Sequence, residues 1–147
     1  MATTTVDWTA HTLEALRRGG YRSGGARSAV VEKLSAQKCC LTAQEIFDQL
    51  REDGRAVGIA SVYRVLEVLV ELGLVQRVDV GDGAARFEPA YPSGEHHHHL
   101  LCSNCGDVVA FEDAALERVI LKLGERLDAV IGGHDVVLHG VCAACKP

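Results

Sequence analysis

Six cysteines and seven histidines in 147 residues are enough to build metal sites, and their spacing says where. Cys102-Ser-Asn-Cys105 and Cys142-Ala-Ala-Cys145 are two pairs, each with two intervening residues. That spacing lets both thiolates of a pair point at one tetrahedral zinc ion. The alternatives are a redox pair or cysteines without a role, but two such pairs in one chain favour structural Zn2+. Four thiolates on one zinc would tie the end of the chain back to the start of its domain. Such sites supply on the order of 10 kcal/mol to folding in small peptides, so a stripped domain is expected to unfold.

The run His96-His97-His98-His99 would be an expression tag at a terminus, but it is internal and stops three residues before Cys102. In an extended strand alternate side chains point to opposite faces. His97 and His99 can therefore serve one metal while His96 and His98 serve another. Further donors must come from elsewhere, and Cys40, Glu88, Glu117 and His134 are the candidates.

Several elements must position these groups. Asp7 to Arg18 places Trp8, His11, Leu13, Ala15 and Leu16 on one side of a first helix that Gly19-Gly20 ends. Ala26 to Leu34 fits a helical period, with Ala29, Val30, Val31 and Leu34 apolar. Thr42-Ala43-Gln44-Glu45 is a capping box opening a third helix. Gly58 to Gly73 is the strongest helix, with Ile59, Val62, Val65, Leu66, Leu69 and Leu72 on one face. Leu74 to Val80 and Ala84 to Glu88 then flank Gly81-Asp82-Gly83 as a hairpin.

Helices followed by a hairpin is the order of a winged helix-turn-helix. The expectation is an α+β chain: a winged-helix domain over 1–89, a hinge over 90–95 containing Pro92, Ser93 and Gly94, and a small α/β domain over 96–147. The second domain reads as β-α-β, from Val108 to Phe111, Asp113 to Ala129 and Val136 to Val141.

A net charge of −5 argues against a nucleic-acid partner only until its distribution is examined. Residues 1–80 carry ten basic and ten acidic side chains, and residues 81–147 carry five and ten. A neutral first half can present arginines to phosphate, and an acidic second half collects cations. The 48% hydrophobic content is that of a globular protein. No apolar run reaches the roughly 20 residues that span a bilayer. The start lacks a basic end followed by an apolar stretch. A cytoplasmic protein without membrane partners is expected, and cytosolic thiols are kept reduced, which again favours metal over disulfides.

GIASVYRVLEVLVELGLV, RFEP at the end of the hairpin, HHHHLLCSNCG and the closing HGVCAAC together resemble the ferric uptake regulator (Fur) family over nearly the whole chain. The resemblance implies a metal-dependent repressor that binds double-stranded promoter DNA as a homodimer and controls zinc or iron uptake genes, possessing neither enzymatic activity nor a small-molecule substrate. It implies structural zinc on Cys102, Cys105, Cys142 and Cys145, and a regulatory site of Zn2+ or Fe2+ between the domains on Cys40, Glu88, His97 and His99. A further metal site falls on His96, His98, Glu117 and His134.

Two positions depart from the family pattern. Cys40 stands where histidine is usual, and a thiolate shifts preference from iron(II) towards zinc. Gly24-Gly25 stands where Thr-Pro is usual, which loosens the start of the second helix. The first departure leans the reading towards the zinc-uptake branch with iron still open, since zinc-sensing members often carry a cysteine shortly before the histidine run and here that stretch is Tyr91-Pro92-Ser93-Gly94-Glu95. The peroxide-sensing branch, the alternative within the family, prefers Asp where Glu88 and Ala110 stand.

In a helix-turn-helix the early residues of the second helix reach base edges. Here those are Ser61, Tyr63 and Arg64, with Arg64 able to pair with guanine, while Arg22 and Arg27 are candidates for phosphate or minor-groove contacts. A zinc hydrolase would want an HExxH helix or a nucleophile elbow, and neither is present. A zinc-storage protein or metallochaperone would use the histidines but has no need of a recognition helix and wing.

Overall fold

The computed structural model describes residues 7–22, 24–37 and 39–147. Contacts divide the chain into two units, Met1–Glu95 and His96–Pro147.

The first unit runs α1 (Trp8–Arg18), α2 (Ala26–Ala36), β1 (Leu41–Thr42), α3 (Ala43–Glu52), α4 (Ile59–Glu71), β2 (Val75–Asp79) and β3 (Ala85–Pro89). Local chemistry sets the helix ends. Asp7 accepts from the N–H groups of Thr9 and Ala10 at the start of α1. Thr42 and Glu45 form the reciprocal capping box that opens α3. Gly73, at φ 70°, closes α4 in the left-handed region, with Leu74 N–H reaching the Leu69 carbonyl at 2.9 Å.

Burial follows period. Val62, Val65, Leu66 and Leu69 of α4 are buried at i, i+3, i+4 and i+7, against Val30, Val31 and Leu34 of α2 and Ile46 and Leu50 of α3. Leu72, expected on that face, is the exposed C-terminal cap instead. In α1 the buried stripe is Trp8, Thr12 and Leu16, whereas His11 faces solvent. The spacing i, i+4, i+8 selects the polar Thr12 over His11. Trp8 donates from Nε1 to the Leu74 carbonyl over 2.9 Å, so the first helix is pinned to the entrance of the hairpin.

The wing has three strands, in the order β1-β3-β2, all antiparallel. β1 carries two residues and so has no alternation to read in sequence. Its pairing of Leu41 with Phe87 lays the end of the α2–β1 connection alongside β3.

The second unit runs β4 (His98–Cys102), β5 (Val108–Phe111), α5 (Ala114–Arg126) and β6 (Val137–Gly140). It is therefore β-β-α-β: the histidine run ends in the central strand, which pairs antiparallel with β5 and parallel with β6. Asp113 caps α5 by accepting from Leu116 N–H at 2.9 Å. Several apolar positions along α5 and at its C-terminal cap are not covered. Val119, Leu121, Leu123 and Leu127 are exposed, Leu121 by 69%, and beyond the helix Val130 is 99% exposed.

Candidate metal centres and nucleic-acid interface

The Cys102, Cys105, Cys142 and Cys145 thiols have their Sγ atoms within 4.8 Å of one another. Cys102 ends β4, and the parallel pairing of Cys102 with Gly140 brings the end of β6, and with it the second pair, to the same place. Cys105 Sγ and Cys142 Sγ are 3.8 Å apart, which is about the edge of a tetrahedron with zinc–sulfur bonds of roughly 2.3 Å. The backbone N–H groups of Cys105 and Cys142 point at Cys102 Sγ, at 3.5 and 3.3 Å. These donors lower the Cys102 thiol to about 6. Cys105 moves the other way, to about 12: the Asp107 N–H that favours its thiolate is outweighed by the neighbouring thiols, Cys102 foremost, and by desolvation. One thiolate is thus favoured and its neighbour resisted, an imbalance that a bound cation would offset. The residues fit zinc.

His96, His98, Glu117 and His134 form a second group of the same compactness. His98 comes from β4, Glu117 from the first turn of α5 and His134 from the loop before β6. Glu117 sits 2.6 Å from His98 Nε2 through one oxygen, and 2.7 Å from His134 Nε2 and 3.5 Å from His96 Nε2 through the other. His96 Nε2 and His134 Nε2 are 3.3 Å apart. His98 holds the Glu117 carboxyl below its ordinary range, with the charge of His134 adding to the effect. Three imidazoles and a carboxylate converging on one point are a donor set for a borderline divalent cation.

Each unit also carries a donor pair of its own. In the first, Glu88 of β3 is fully buried, and its Oε1 accepts from Nε2 of Gln76, its cross-strand partner. A buried carboxylate is costly unless paired. The Cys39 thiol lies within 4.8 Å of it. The sequence-based donor, which the resemblance puts on Cys40, is the adjacent residue. Cys40 Sγ lies 3.4 Å from Cys39 Sγ, and that neighbour, burial and the charge of Glu88 push the Cys40 thiol up. In the second unit His97 and His99 have ring centroids 5.0 Å apart.

On the first unit Tyr63 and Arg64 are exposed near the start of α4, and Arg64 Nη2 donates to Ser61 Oγ at 3.2 Å. Ser61 and Arg64 line a depression of about 350 Å³ together with Arg27 and Gly24. Arg27 donates to the Arg22 carbonyl at 3.1 Å and lies 5.3 Å from the centre of the Tyr21 ring. Tyr21 is the positioning residue that sequence reasoning missed, because a cation–π contact has no periodicity. Arg22 is exposed beside them. The N-terminus of α2 has no side-chain cap; Gly24 and Gly25 both have positive φ, at 105° and 58°, which a Thr-Pro pair could not adopt. A helix N-terminus, hydroxyls and guanidinium groups on one face form a surface suited to phosphate and base edges.

The model of the ferric uptake regulator family matches residues 18–139. The chain belongs to the ferric uptake regulator family. The Fur-family ferric uptake regulation protein of Vibrio anguillarum is 33% identical over 137 residues, covering 90% of each chain. That of Bacillus subtilis is 33% identical over 133 residues, 89% of each. Among solved structures, the Vibrio cholerae ferric uptake regulator superposes with a TM-score of 0.77 at 30% identity, over 88% of this chain and 98% of that one. The Helicobacter pylori Fur, described as having three functional metal-binding sites, superposes with a TM-score of 0.80 at 26% identity over 93% of each. This Fur-family chain is a metal-responsive regulator with an α+β fold, a winged helix followed by a small domain whose four cysteines fit a structural zinc. Among the described residues, no helix is long and apolar enough to cross a membrane.

Proposed function

We propose that this chain is a metal-dependent, DNA-binding transcriptional repressor of zinc or iron uptake genes, acting as a cytoplasmic homodimer and not as an enzyme. The observation that carries the reading is the pair Cys39 and Glu88: a thiol and a buried carboxylate meet at the wing of the same unit that exposes Ser61, Tyr63 and Arg64. That donor pair lies at the wing, away from the exposed start of α4. It gives a cation a grip on the DNA-binding unit.

In this reading Cys39 and Glu88 share one regulatory ion with His97 and His99. A metal joining donors from both units fixes the angle between two reading heads, so that a dimer meets both half-sites without an ordering cost. A thiolate in that set favours zinc over iron(II). By linkage, metal and DNA tighten each other equally, and about 3 kcal/mol of coupling corresponds to roughly 100-fold. The homodimer is supported by the uncovered side chains of the second unit, where Val119, Leu121, Leu127 and Val130 are more than half exposed. A second copy supplies the cover that this unit lacks.

The test is an anaerobic titration of chelator-treated protein, its structural zinc retained, with zinc and with iron(II), following binding to promoter DNA of zinc- and iron-uptake genes. Activation by zinc at far lower free concentration identifies a zinc-uptake repressor; activation by iron(II) alone identifies an iron-uptake repressor. His97→Ala and Cys39→Ala should each abolish the metal response with the fold retained. DNA binding indifferent to both metals would remove the proposal.

A further inference from the structure

Two pairs of thiols in this chain differ in a way that selects different guests. Cys105 Sγ and Cys142 Sγ, 3.8 Å apart, subtend about 111° at a centre with bonds of roughly 2.3 Å, near the tetrahedral angle of zinc. Cys39 Sγ and Cys40 Sγ, 3.4 Å apart, subtend only about 95° under the same bond length. That is the narrow angle of a pyramidal trivalent centre with a lone pair.

A disulfide suits the second pair poorly. Adjacent Cα atoms are about 3.8 Å apart across a trans peptide, whereas disulfides usually want roughly 4.4–6.8 Å between Cα atoms. Both thiols are half-buried. The segment is tethered between the end of α2 at Ala36 and the start of β1 at Leu41, whose pairing with Phe87 holds it against the sheet. The two sulfurs are thus presented side by side, placed for a single bridging atom and not for a bond to each other.

We propose that Cys39 and Cys40 form a chelating site for trivalent arsenic, as arsenous acid or a monoorganic arsenoxide. With arsenous acid two As–S bonds form and two As–O bonds break, and the two thiol protons leave on two waters; with an arsenoxide they leave with its oxygen as one water. Arsenic stays trivalent throughout, so no oxidant or reductant is required. The site lies within the first unit and shares Cys39 with the proposed regulatory site, so arsenic and the regulatory ion exclude each other there, while arsenical binding itself needs neither DNA nor that ion. Its occupation takes the thiol of Cys39 away from Glu88.

The experiment uses the whole chain with its four-cysteine zinc retained and the regulatory site emptied by chelator, and phenylarsine oxide as the probe. After gel filtration, intact mass spectrometry should find one arsenical per chain with the zinc still bound, and none on Cys39→Ser or Cys40→Ser. In the wild-type protein the same treatment should protect Cys39 and Cys40 from alkylation by iodoacetamide, read by peptide mapping and independent of how the variants fold. Retention by either single variant, an adduct mapped to the four-cysteine group, or no retained arsenical would each overturn the proposal.

Discussion

Glu117 Oε1 lies 2.6 Å from His98 Nε2, joining the first turn of α5 to the central strand of the second sheet through a side-chain contact. His98 is 2% exposed, so the contact is shielded on the strand side. The other Glu117 oxygen reaches His134 at 2.7 Å and draws in the loop before β6. One carboxylate therefore organises three separate parts of the unit.

Glu117→Ala should remove metal from this group while leaving the four-cysteine zinc in place. Loss of an outer-shell partner alone costs about 10–100-fold in affinity, and loss of a direct donor should cost at least that. Metal analysis after dialysis against buffered zinc would read the difference. An unchanged stoichiometry would mean that the four side chains serve only to pack α5.

Thr12→Val should be neutral or stabilising. Thr12 is fully buried in α1, and its hydroxyl has no hydrogen-bond partner among the described residues. Valine keeps the shape and removes an unpaired polar group, whose burial costs about 1–3 kcal/mol. Thermal or denaturant unfolding would measure it, and a clear loss of stability would show that the hydroxyl has a partner, such as bound water.

Asp82→Asn should weaken the acid sensitivity of the wing. Arg86 donates from Nη1 to Asp82 Oδ1 at 2.9 Å and forms an ion pair from Nη2 to Oδ2 at 2.9 Å, and that contact holds the Asp82 carboxyl below its ordinary value. A depressed folded-state value means that the stabilisation is present above the unfolded value of about 3.9 and is lost as pH falls through the folded one. The pair is partly exposed, so its worth is about 1 kcal/mol or less. Unfolding of variant and wild type compared at pH 7 and pH 3 should show the gap closing at the lower pH; a constant gap would exclude this origin.

Arg64→Ala should lower DNA affinity without loss of stability, since its side chain is exposed and its guanidinium donates to Ser61 on the same exposed turn. A base-reading arginine is worth about 1–3 kcal/mol and its removal relaxes sequence preference at one position. A phosphate contact would instead weaken all sequences evenly and flatten the salt dependence. Binding measured on several duplexes at two salt concentrations separates the two.

The parts of the molecule that sequence reading reached are those with a period or a fixed spacing. The capping box at Thr42, the face of α4 and the hairpin around Gly81-Asp82-Gly83 are repetitive or local, and so is the pairing of cysteines by CxxC. What it missed depends on long-range contacts. β1 is too short to alternate, and its existence is decided by the partner strand β3. That the Cys39 thiol comes within reach of Glu88 follows from how that connection lies beside β3, which residue type alone does not reveal. Thr12 is interior because of helical phase against α2 and the hairpin, although its composition reads as surface.

Trp8 is the only tryptophan of the chain, and its indole N–H is committed to the Leu74 carbonyl at the mouth of the hairpin. Intrinsic fluorescence is therefore a spectroscopic channel belonging to the first unit alone. Loss of the bond would expose the indole to water and shift its emission to the red. In a melt, a chelator step or a DNA titration, that signal dates the loosening of the wing separately from events around the cysteines, which carry no comparable chromophore unless cobalt is put in zinc's place.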